Sequence, residues 1–377
     1  MTKEPITKNR AAISVTHIAE TIKGGIATYL NVFESYSQNL EFQNTYLIPQ
    51  HQRSELRSNS NTKIFTHEGS RKPLGFVKLV LAIRQHINTY NPPLIFAHST
   101  FAGLATAIAL KITRHKPVFM YCSHGWASLR DQAAWKKRII TPIERLFSKR
   151  TDAIINISKN EDIKSRQMKF GQKMYLIENC AEESKLNLDA IWRRKSQTPQ
   201  KLHLLYVGRF DKAKGFDILI KALSLLNTER EVDFVIDVIG EAVLNDLVTP
   251  IPIDLQPKIN FHGWVRNDHI DEFYAKADFL VVPSRNEGFG ICVIEAFRNA
   301  TPVIASNRGA LPNIVQHNIN GIIFDLSAEN LKCAITQAAN LELLRLRQCA
   351  LDTYIRNYTP QTFTQKLNKL ISSVISN

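Results

Sequence analysis

Cysteine is scarce in this sequence, and what there is does not pair. Cys122, Cys180, Cys292, Cys333 and Cys349 are scattered, without a Cys-x-x-Cys or a Cys/His cluster. That excludes a disulfide framework and a zinc site of the usual spacing, and it fits a reducing cytosol. Long apolar runs are also missing: the longest, Phe101–Leu110, is about half the length of a bilayer-crossing helix. The polar, basic segment Met1–Arg10 precedes any apolar run, so no cleaved signal peptide is expected. No internal repeat or low-complexity tract occurs.

What is present has the composition of a folded protein, 44% hydrophobic and 22% charged. At 377 residues the chain is too long for one ordinary core and suits two domains. Glycine and proline, 15 of each, are ordinary in number, so their placement carries the information. Charge is uneven. The formal net charge is +14, and the excess of Lys and Arg falls within residues 1–200. Such a surface attracts phosphate, whether of nucleic acid, anionic lipid or a phosphorylated substrate. A plain solvated basic face is the alternative.

Short β-branched runs alternate with helix-length segments. In the first half, Ala11–Ala19, Tyr46–Ile48, Lys63–Thr66, Leu94–His98, Val118–Ser123, Ala153–Ile157 and Met174–Ile177 read as strands. Helical periodicity lies between them at about Ile26–Ser35, Leu74–Thr89, Gly103–Ile112 and Ala134–Lys149. A polar break follows at Ala181–Lys201, and the alternation restarts with strands Leu204–Val207, Phe234–Ile239, Ile259–His262, Phe279–Val282, Val303–Ala305 and Ile322–Phe324. Helices are expected there at Phe216–Leu226, Ile270–Ala277 and Ile291–Arg298. The segments Ala328–Asn357 and Thr362–Ser376 close the chain as helices. This rhythm predicts two doubly wound, Rossmann-like α/β domains facing a central cleft, with ligands beyond the carboxyl ends of the strands. The expected domains are residues 1–185 and 200–357, and a helix within 358–377 packs back on the first.

The densest chemical signal is Pro283-Ser-Arg-Asn-Glu-Gly-Phe-Gly-Ile-Cys-Val-Ile-Glu295. A buried strand ends at Pro283, a loop holds Glu287, Gly288, Phe289 and Gly290, and a helix begins near Ile291. A glycine-bearing loop feeding a helix start offers amide N–H groups and positive dipole to an anion, normally phosphate. Glu287 and Glu295 can both point at that ligand and accept from sugar and ribose hydroxyls. The alternative is an exposed helix with incidental acids.

Upstream, Val207-Gly208-Arg209-Phe-Asp-Lys-Ala-Lys214-Gly215 follows the first strand of the second domain. Gly208 allows a sharp turn there, and Arg209 and Lys214 can clamp a diphosphate, one as a planar fork and one as a point charge. Nothing but charge singles out Lys212. In the first domain, Gly24 and Gly25 follow the first strand and open a helix, and His98 and His124 sit at strand ends. For these, tight turns and structural histidines are the alternatives.

Taken together, in this order, the motifs resemble the family 4 glycosyltransferases of the retaining GT-B class. The resemblance runs from Gly24-Gly25 to Asn320-Gly321 and is strongest over Gly208–Gly215 and Pro283–Asp325, including Thr301–Ser306 and Gly309–Pro312. It implies that Glu295 holds the nucleotide ribose, and that Glu287 with the amides of Gly288, Phe289 and Gly290 holds the donor sugar and distal phosphate. Arg209 and Lys214, with Gly208, would stabilise the departing nucleoside diphosphate. His124 would lie beside the transferred sugar, and Gly24-Gly25 would close on the phosphates. The catalytic set is then His124, Arg209, Lys214 and Glu287. No metal or other cofactor is expected, and no Asp-x-Asp occurs, so side-chain cations and helix dipole must neutralise the leaving group. Three positions depart from the family pattern: Cys180 after Asn179, Ala300 where glycine is usual, and Asn313 where glutamate is usual.

The implied partners are a nucleotide-sugar donor, UDP-linked, and a glycan or lipid-linked acceptor of a bacterial cell-surface polysaccharide or lipopolysaccharide, with no nucleic acid. The segment Trp135–Arg150 alternates cations with apolar residues at helical spacing. It reads either as a helix lying on an anionic leaflet or as one whose Ile139, Ile143, Leu146 and Phe147 face the core. The first reading makes the protein cytoplasmic and peripheral on the inner face of the membrane. A GT-B epimerase and a non-catalytic basic membrane- or nucleic-acid-binding protein are the rivals. A dinucleotide oxidoreductase would need a Gly-x-Gly-x-x-Gly that neither Gly24-Gly25 nor Gly288-Phe289-Gly290 supplies.

Overall fold

The computed structural model describes residues 13–37, 42–59, 62–130, 132–195, 201–242, 249–266 and 269–376, and among these thirteen strands, most of them apolar and buried, set the architecture. The chain divides into two compact units. The first takes in residues up to 157, residues 161–177 and residues from 363 onward; the second takes in 158–160 and 178–362. The division falls earlier than residue 185. Ala11 and Ala12, expected to begin the first strand, lie outside the described residues.

In the first unit the order is β1 (Ile13–Ala19), α1 (Gly25–Ser37), β2 (Phe42–Pro49), β3 (Lys63–His67), α2 (Pro73–Tyr90), β4 (Leu94–His98), α3 (Thr100–Lys111), β5 (Val118–Cys122), α4 (Ala134–Ser148), β6 (Ala153–Asn156), α5 (Lys159–Gln167) and β7 (Met174–Leu176). The strands form one parallel sheet in the order β3-β2-β1-β4-β5-β6-β7. Winding reverses between β1 and β4, so the segments after these two strands flank a switch point.

The second unit runs α6 (Leu188–Lys195), β8 (Leu202–Val207), α7 (Phe216–Glu229), β9 (Phe234–Ile239), β10 (Ile259–Gly263), α8 (Ile270–Lys276), β11 (Phe279–Val282), α9 (Ile291–Arg298), β12 (Val303–Ser306), α10 (Leu311–Ile314), β13 (Gly321–Phe324), α11 (Ala328–Ala339) and α12 (Leu343–Asn357). Its parallel sheet has the order β10-β9-β8-β11-β12-β13, with its switch point between β8 and β11. Helix α7 shows how the core is built: Phe216, Leu219, Ile220, Leu223 and Leu226 recur at helical spacing and are buried against the sheet. The closing helix α13 (Pro360–Ile375) contributes Phe363 to the first unit, where its ring meets Tyr29 edge-on at 4.9 Å.

Two helices fall where the sequence pattern offers no apolar stripe. Helix α6 lies inside the expected polar break, started by Asn187, whose side chain accepts from the Ala190 N–H at 2.7 Å. Helix α5 buries Glu161 and Ser165 rather than apolar residues, and its Ile163 is exposed.

Helix α4 settles one alternative. Only Phe147 of its four apolar candidates is buried, together with Glu144 and Ser148. Ile139, Ile143 and Leu146 are exposed, and Trp135 is exposed one turn before Ile139. The core-face reading is therefore corrected: the inward face is largely polar because Glu144 accepts from Thr100, from the Ala127 and Ser128 N–H groups and from the Ser128 hydroxyl. Among the described residues no helix is long and apolar enough to cross a membrane.

Candidate functional site

In the second unit, the loops after β8 and β11 lie on either side of the switch point, and they carry the predicted cations and acids. Lys214 and Glu287, given separate tasks by the sequence, are joined: Lys214 Nζ donates to Glu287 Oε2 at 2.7 Å. Ser284 Oγ approaches the same oxygen at 3.4 Å. Burial works against the charge of Lys214, but the attraction and hydrogen bond of Glu287, together with Cys292, outweigh it and the ammonium pKa is raised. Arg209 pairs with Asp211 at 2.8 Å while remaining largely exposed, and its carbonyl accepts from the Tyr206 hydroxyl at 2.8 Å. Asp211 also accepts from the Lys214 N–H at 2.8 Å, which fixes the loop that presents both cations. The Gly208 N–H donates to the Ile239 carbonyl at 3.0 Å. The expected members Gly208, Arg209, Lys214 and Glu287 thus share two facing loops.

Arg285, inside the motif but unassigned from sequence, holds those loops together. Its guanidinium grips Asp217 through two 2.7 Å bonds and donates to the Lys212 carbonyl at 2.6 Å, and its own N–H donates to the Ala213 carbonyl at 2.8 Å. Lys212 contributes its carbonyl to this grip.

The backbone of Glu287 is clamped from the other side. Its carbonyl accepts from the Ala310 N–H at 2.9 Å. Gly309, at φ +60, passes so close that a Cβ there would lie 2.1 Å from the Glu287 carbonyl oxygen. The loop then runs through Gly288 and Phe289 to Gly290, which starts α9 at φ +96. Among the described residues the amides of Gly288, Phe289 and Gly290 donate to no acceptor, so three N–H groups and the start of an eight-residue helix are available to an anion. The Phe289 side chain is buried against Tyr358, ring to ring at 5.9 Å, so only its backbone can serve a ligand.

Glu295 lies one turn into α9, where its carboxylate accepts from the Tyr274 hydroxyl at 3.0 Å. Burial raises its pKa, with Arg298 and the Tyr274 bond drawing it back. Arg298 is itself held by Asp271 at 2.7 Å, and Asp271 also accepts from Asn299 at 2.7 Å. This brace beneath Glu295 has no sequence signature, since its members come from α8, α9 and the turn after it. Cys292, between the two acids, has its thiol pushed up to about 12 by burial and by Glu287, so it is no thiolate nucleophile.

In the first unit, Gly24 at φ +60 and Gly25 open α1 after β1. The turn is pinned by Gln52, whose side-chain oxygen accepts from the Ile22 N–H at 2.7 Å and the Thr21 hydroxyl at 3.2 Å. His124 sits in the turn after β5 at φ +49, partly exposed, and burial lowers its pKa to about 3. That turn is braced by Glu161, which accepts from the Gly125 and Trp126 N–H groups, both at 3.1 Å, and from Ser123. Burial raises the Glu161 pKa against these bonds. His98 donates or accepts between two other imidazoles and is fully buried.

Comparison with known proteins falls on the same two halves. Residues 189–353 match the family described as glycosyl transferases group 1, and residues 23–184 match glycosyltransferase family 4. A Klebsiella pneumoniae protein, described as an uncharacterized 41.2 kDa protein in the cps region, is 29% identical over 84% of this chain and 87% of its own length. Among solved structures, HepE of Anabaena in complex with UDP superposes with a TM-score of 0.76 at 18% identity, covering 96% of this chain and all of that one (100%). The lipopolysaccharide outer core galactosyltransferase WaaB gives 0.69 at 16% identity over 96% and 99% of the two chains. At such identities the likeness is one of fold.

Proposed function

Since the chain belongs to the group 1, family 4 glycosyltransferases, enzymes of GT-B fold, we propose that it transfers a hexosyl residue from a UDP-sugar to a hydroxyl of a glycan or lipid-linked acceptor, with retention at the anomeric carbon. The observation that carries the reading is the Lys214–Glu287 pair at the switch point, beside the free amides of Gly288–Gly290. In this reading Glu295 accepts from the ribose hydroxyls, the amides and Glu287 hold the distal phosphate and the sugar, and Lys214 with Arg209 meets the charge that grows on the leaving diphosphate. The bond from the anomeric carbon to the diphosphate oxygen breaks, a bond to the acceptor oxygen forms, and the acceptor proton leaves with the diphosphate. Neutralisation by these cations makes the transfer metal-independent. UDP is favoured by the HepE complex. A cell-surface polysaccharide or lipopolysaccharide acceptor is favoured by the cps-region relative and by WaaB.

The test is thermal stabilisation by a panel of nucleoside diphosphates and their sugars, followed by product analysis. Stabilisation by UDP and release of UDP only when acceptor is present support the reading. No shift with any nucleotide would sink it, and an altered sugar from donor alone would make the protein an epimerase.

A second proposal concerns where the enzyme works. The exposed stripe Trp135, Ile139, Ile143 and Leu146 on α4 is interleaved with the exposed cations Lys136, Arg138 and Arg145. An apolar stripe rimmed by Lys and Arg suits the surface of an anionic leaflet, where a lipid-linked acceptor would be met. Co-flotation with phosphatidylglycerol vesicles, lost with phosphatidylcholine and reduced by Trp135→Ala with Leu146→Ser, is expected. No flotation of the wild-type protein would overturn it.

A further inference from the structure

Three loops meet at the switch point of the first sheet, and one charged pair ties them. Ala19 pairs with His98 in the β1–β4 register, so Glu20 and Ser99 leave the sheet side by side. The loop after β3 is drawn over the same strand ends by His67. Its Nδ1 accepts from the Gly69 N–H at 3.0 Å, so Nε2 carries the proton and donates to the Ala19 carbonyl at 2.9 Å. Two residues on from Gly69, this loop delivers Arg71 to Glu20.

Glu20 is buried, its side chain only 2% exposed, and both of its oxygens are taken. Oε1 accepts from Arg71 Nε at 3.0 Å and from Nη2 at 2.6 Å, and Oε2 accepts from the Ser99 hydroxyl. Ser99 makes that bond from φ +91 and ψ +158, a backbone region that belongs almost wholly to glycine. Its N–H donates to the Cys122 carbonyl at 3.0 Å, and its Oγ also accepts from the Ala102 N–H at 3.3 Å. A strained serine and a buried carboxylate, both costly to the fold, thus converge on the placement of one guanidinium.

What Arg71 offers is its other edge. Its side chain remains 58% exposed, with the guanidinium carbon 5.5 Å above the centre of the Phe101 ring. Nε and one Nη2 proton face Glu20, and among the described residues nothing accepts from Nη1. The Nη1–Nη2 edge is therefore an open planar fork, the geometry that matches two oxygens of an oxyanion. The neighbouring charges favour phosphate over a singly charged carboxylate. Glu68, the other acid of these loops, is paired with Lys78 at 2.9 Å. Lys23 and Lys72, exposed in the loops that carry Glu20 and Arg71, have no ion-pair partner among the described residues.

We infer that Arg71, held by Glu20 and Ser99 at the carboxyl ends of β1 and β4, anchors a phosphoryl group carried by the acceptor. The phosphate half of this statement rests on the geometry of the first unit; its assignment to the acceptor rests on the proposed function. Glu20 and Ser99 are positioning residues, fixing the plane of the guanidinium so that its free edge faces outward. A lipid phosphate and a sugar phosphate present the same oxygens to that edge, so the experiment carries both.

The test is titration calorimetry of the full-length protein with saturating UDP present, so that the donor site is filled. Geranyl phosphate is titrated in one arm and glucose 6-phosphate in the other. Binding of at least one is expected, weakened roughly tenfold or more by Arg71→Gln, the loss of a charge-assisted fork. Arg71→Lys, which keeps the charge and loses the fork, should also weaken it. Tighter binding of geranyl phosphate assigns the phosphate to a lipid carrier, and tighter binding of glucose 6-phosphate assigns it to a sugar. No binding of either, or equal affinity in Arg71→Gln, would overturn the inference. A pair that merely ties the loops predicts that last result, with a lowered melting temperature. If Arg71→Gln does not fold, Arg71→Lys decides. Should UDP itself fail to bind, the donor reading falls, and the same titrations without UDP still decide for Arg71. Should phosphate bind at Arg71 while Arg71→Gln transfers sugar with an unchanged acceptor KM, the phosphate site stands and its assignment to the acceptor falls.

Discussion

Lys214 Nζ lies 2.7 Å from Glu287 Oε2, and this bond closes the two loops of the second switch point on each other. The pair is mostly buried, so each group depends on the other for compensation. A diphosphate entering the site competes with Glu287 for the ammonium, and a sugar hydroxyl competes with the ammonium for Glu287. Lys214→Ala should lower kcat/KM on the order of a hundredfold or more and weaken nucleoside diphosphate binding. Glu287→Gln should lose transfer yet keep diphosphate affinity within about fivefold, since Lys214 is then free for phosphate. Calorimetry with a coupled transfer assay separates the two, and wild-type transfer by Glu287→Gln would refute the pairing's role.

Gly309 and Gly288 should respond oppositely to alanine. At Gly309 a methyl meets the Glu287 backbone and φ is +60, so the loop must move. Gly309→Ala is expected to cost about 1–3 kcal/mol of stability and at least tenfold in kcat/KM. At Gly288 a Cβ meets nothing within 4 Å. Gly288→Ala should melt like the wild type and lose donor affinity alone. Equal melting of all three proteins would contradict the clamp.

Ala300 occupies φ +52, a left-handed conformation that favours glycine, and its methyl packs with Ile191, Ala275 and Leu351. The conformational cost for alanine is about 1–2 kcal/mol, against about 0.8 kcal/mol for burying a methyl. Ala300→Gly should therefore stabilise the protein, by up to about 1 kcal/mol. A clear loss in denaturant unfolding would show that packing wins.

The buried histidines set an acid limit. The folded-state pKa values of His17 and His124, about 3, lie below the unfolded value of 6.5. Between those limits the unfolded chain binds more protons, so stability is full above pH 6.5 and is lost as pH falls. The slope is up to about 1.4 kcal/mol per pH unit for each ring. The melting temperature at pH 5.0 should lie well below that at pH 7.5. The raised carboxyl of Glu161 acts in the opposite sense, and any part of its titration that falls in this window would partly offset the loss. A flat profile from 7.5 to 5.0 would mean that the rings are not held neutral.

The sheet and its site were readable from sequence to different depths. Strands such as Phe279–Val282 and helix Ile291–Arg298 declare themselves because burial on both faces, or on one stripe, leaves an apolar pattern. Arg209, Lys214 and Glu287 stand out in the sequence because each lies in a glycine-bearing loop that follows a strand, and Glu295 because it lies in the helix that the second loop feeds. Arg285 on Asp217, Asp271 under Arg298, and Glu161 across the turn after β5 were not, since each bond joins residues distant in the chain. Helix α5 escaped for a related reason: its buried face is Glu161 and Ser165. The contacts of His98 with His17 and with His124 follow a strand register that no local pattern records, although His98 and His124 stood out at strand ends.

Everything proposed for the donor turns on Glu295, braced on α9, holding the ribose of a nucleotide diphosphate. Titration calorimetry of UDP against the wild-type protein and Glu295→Ala tests this most directly. Measurable UDP binding is expected, weakened roughly 10- to 100-fold in the variant by the loss of one or two hydrogen bonds to a charged acceptor, with the melting temperature of the free protein little changed. Equal affinity in the two proteins would contradict it.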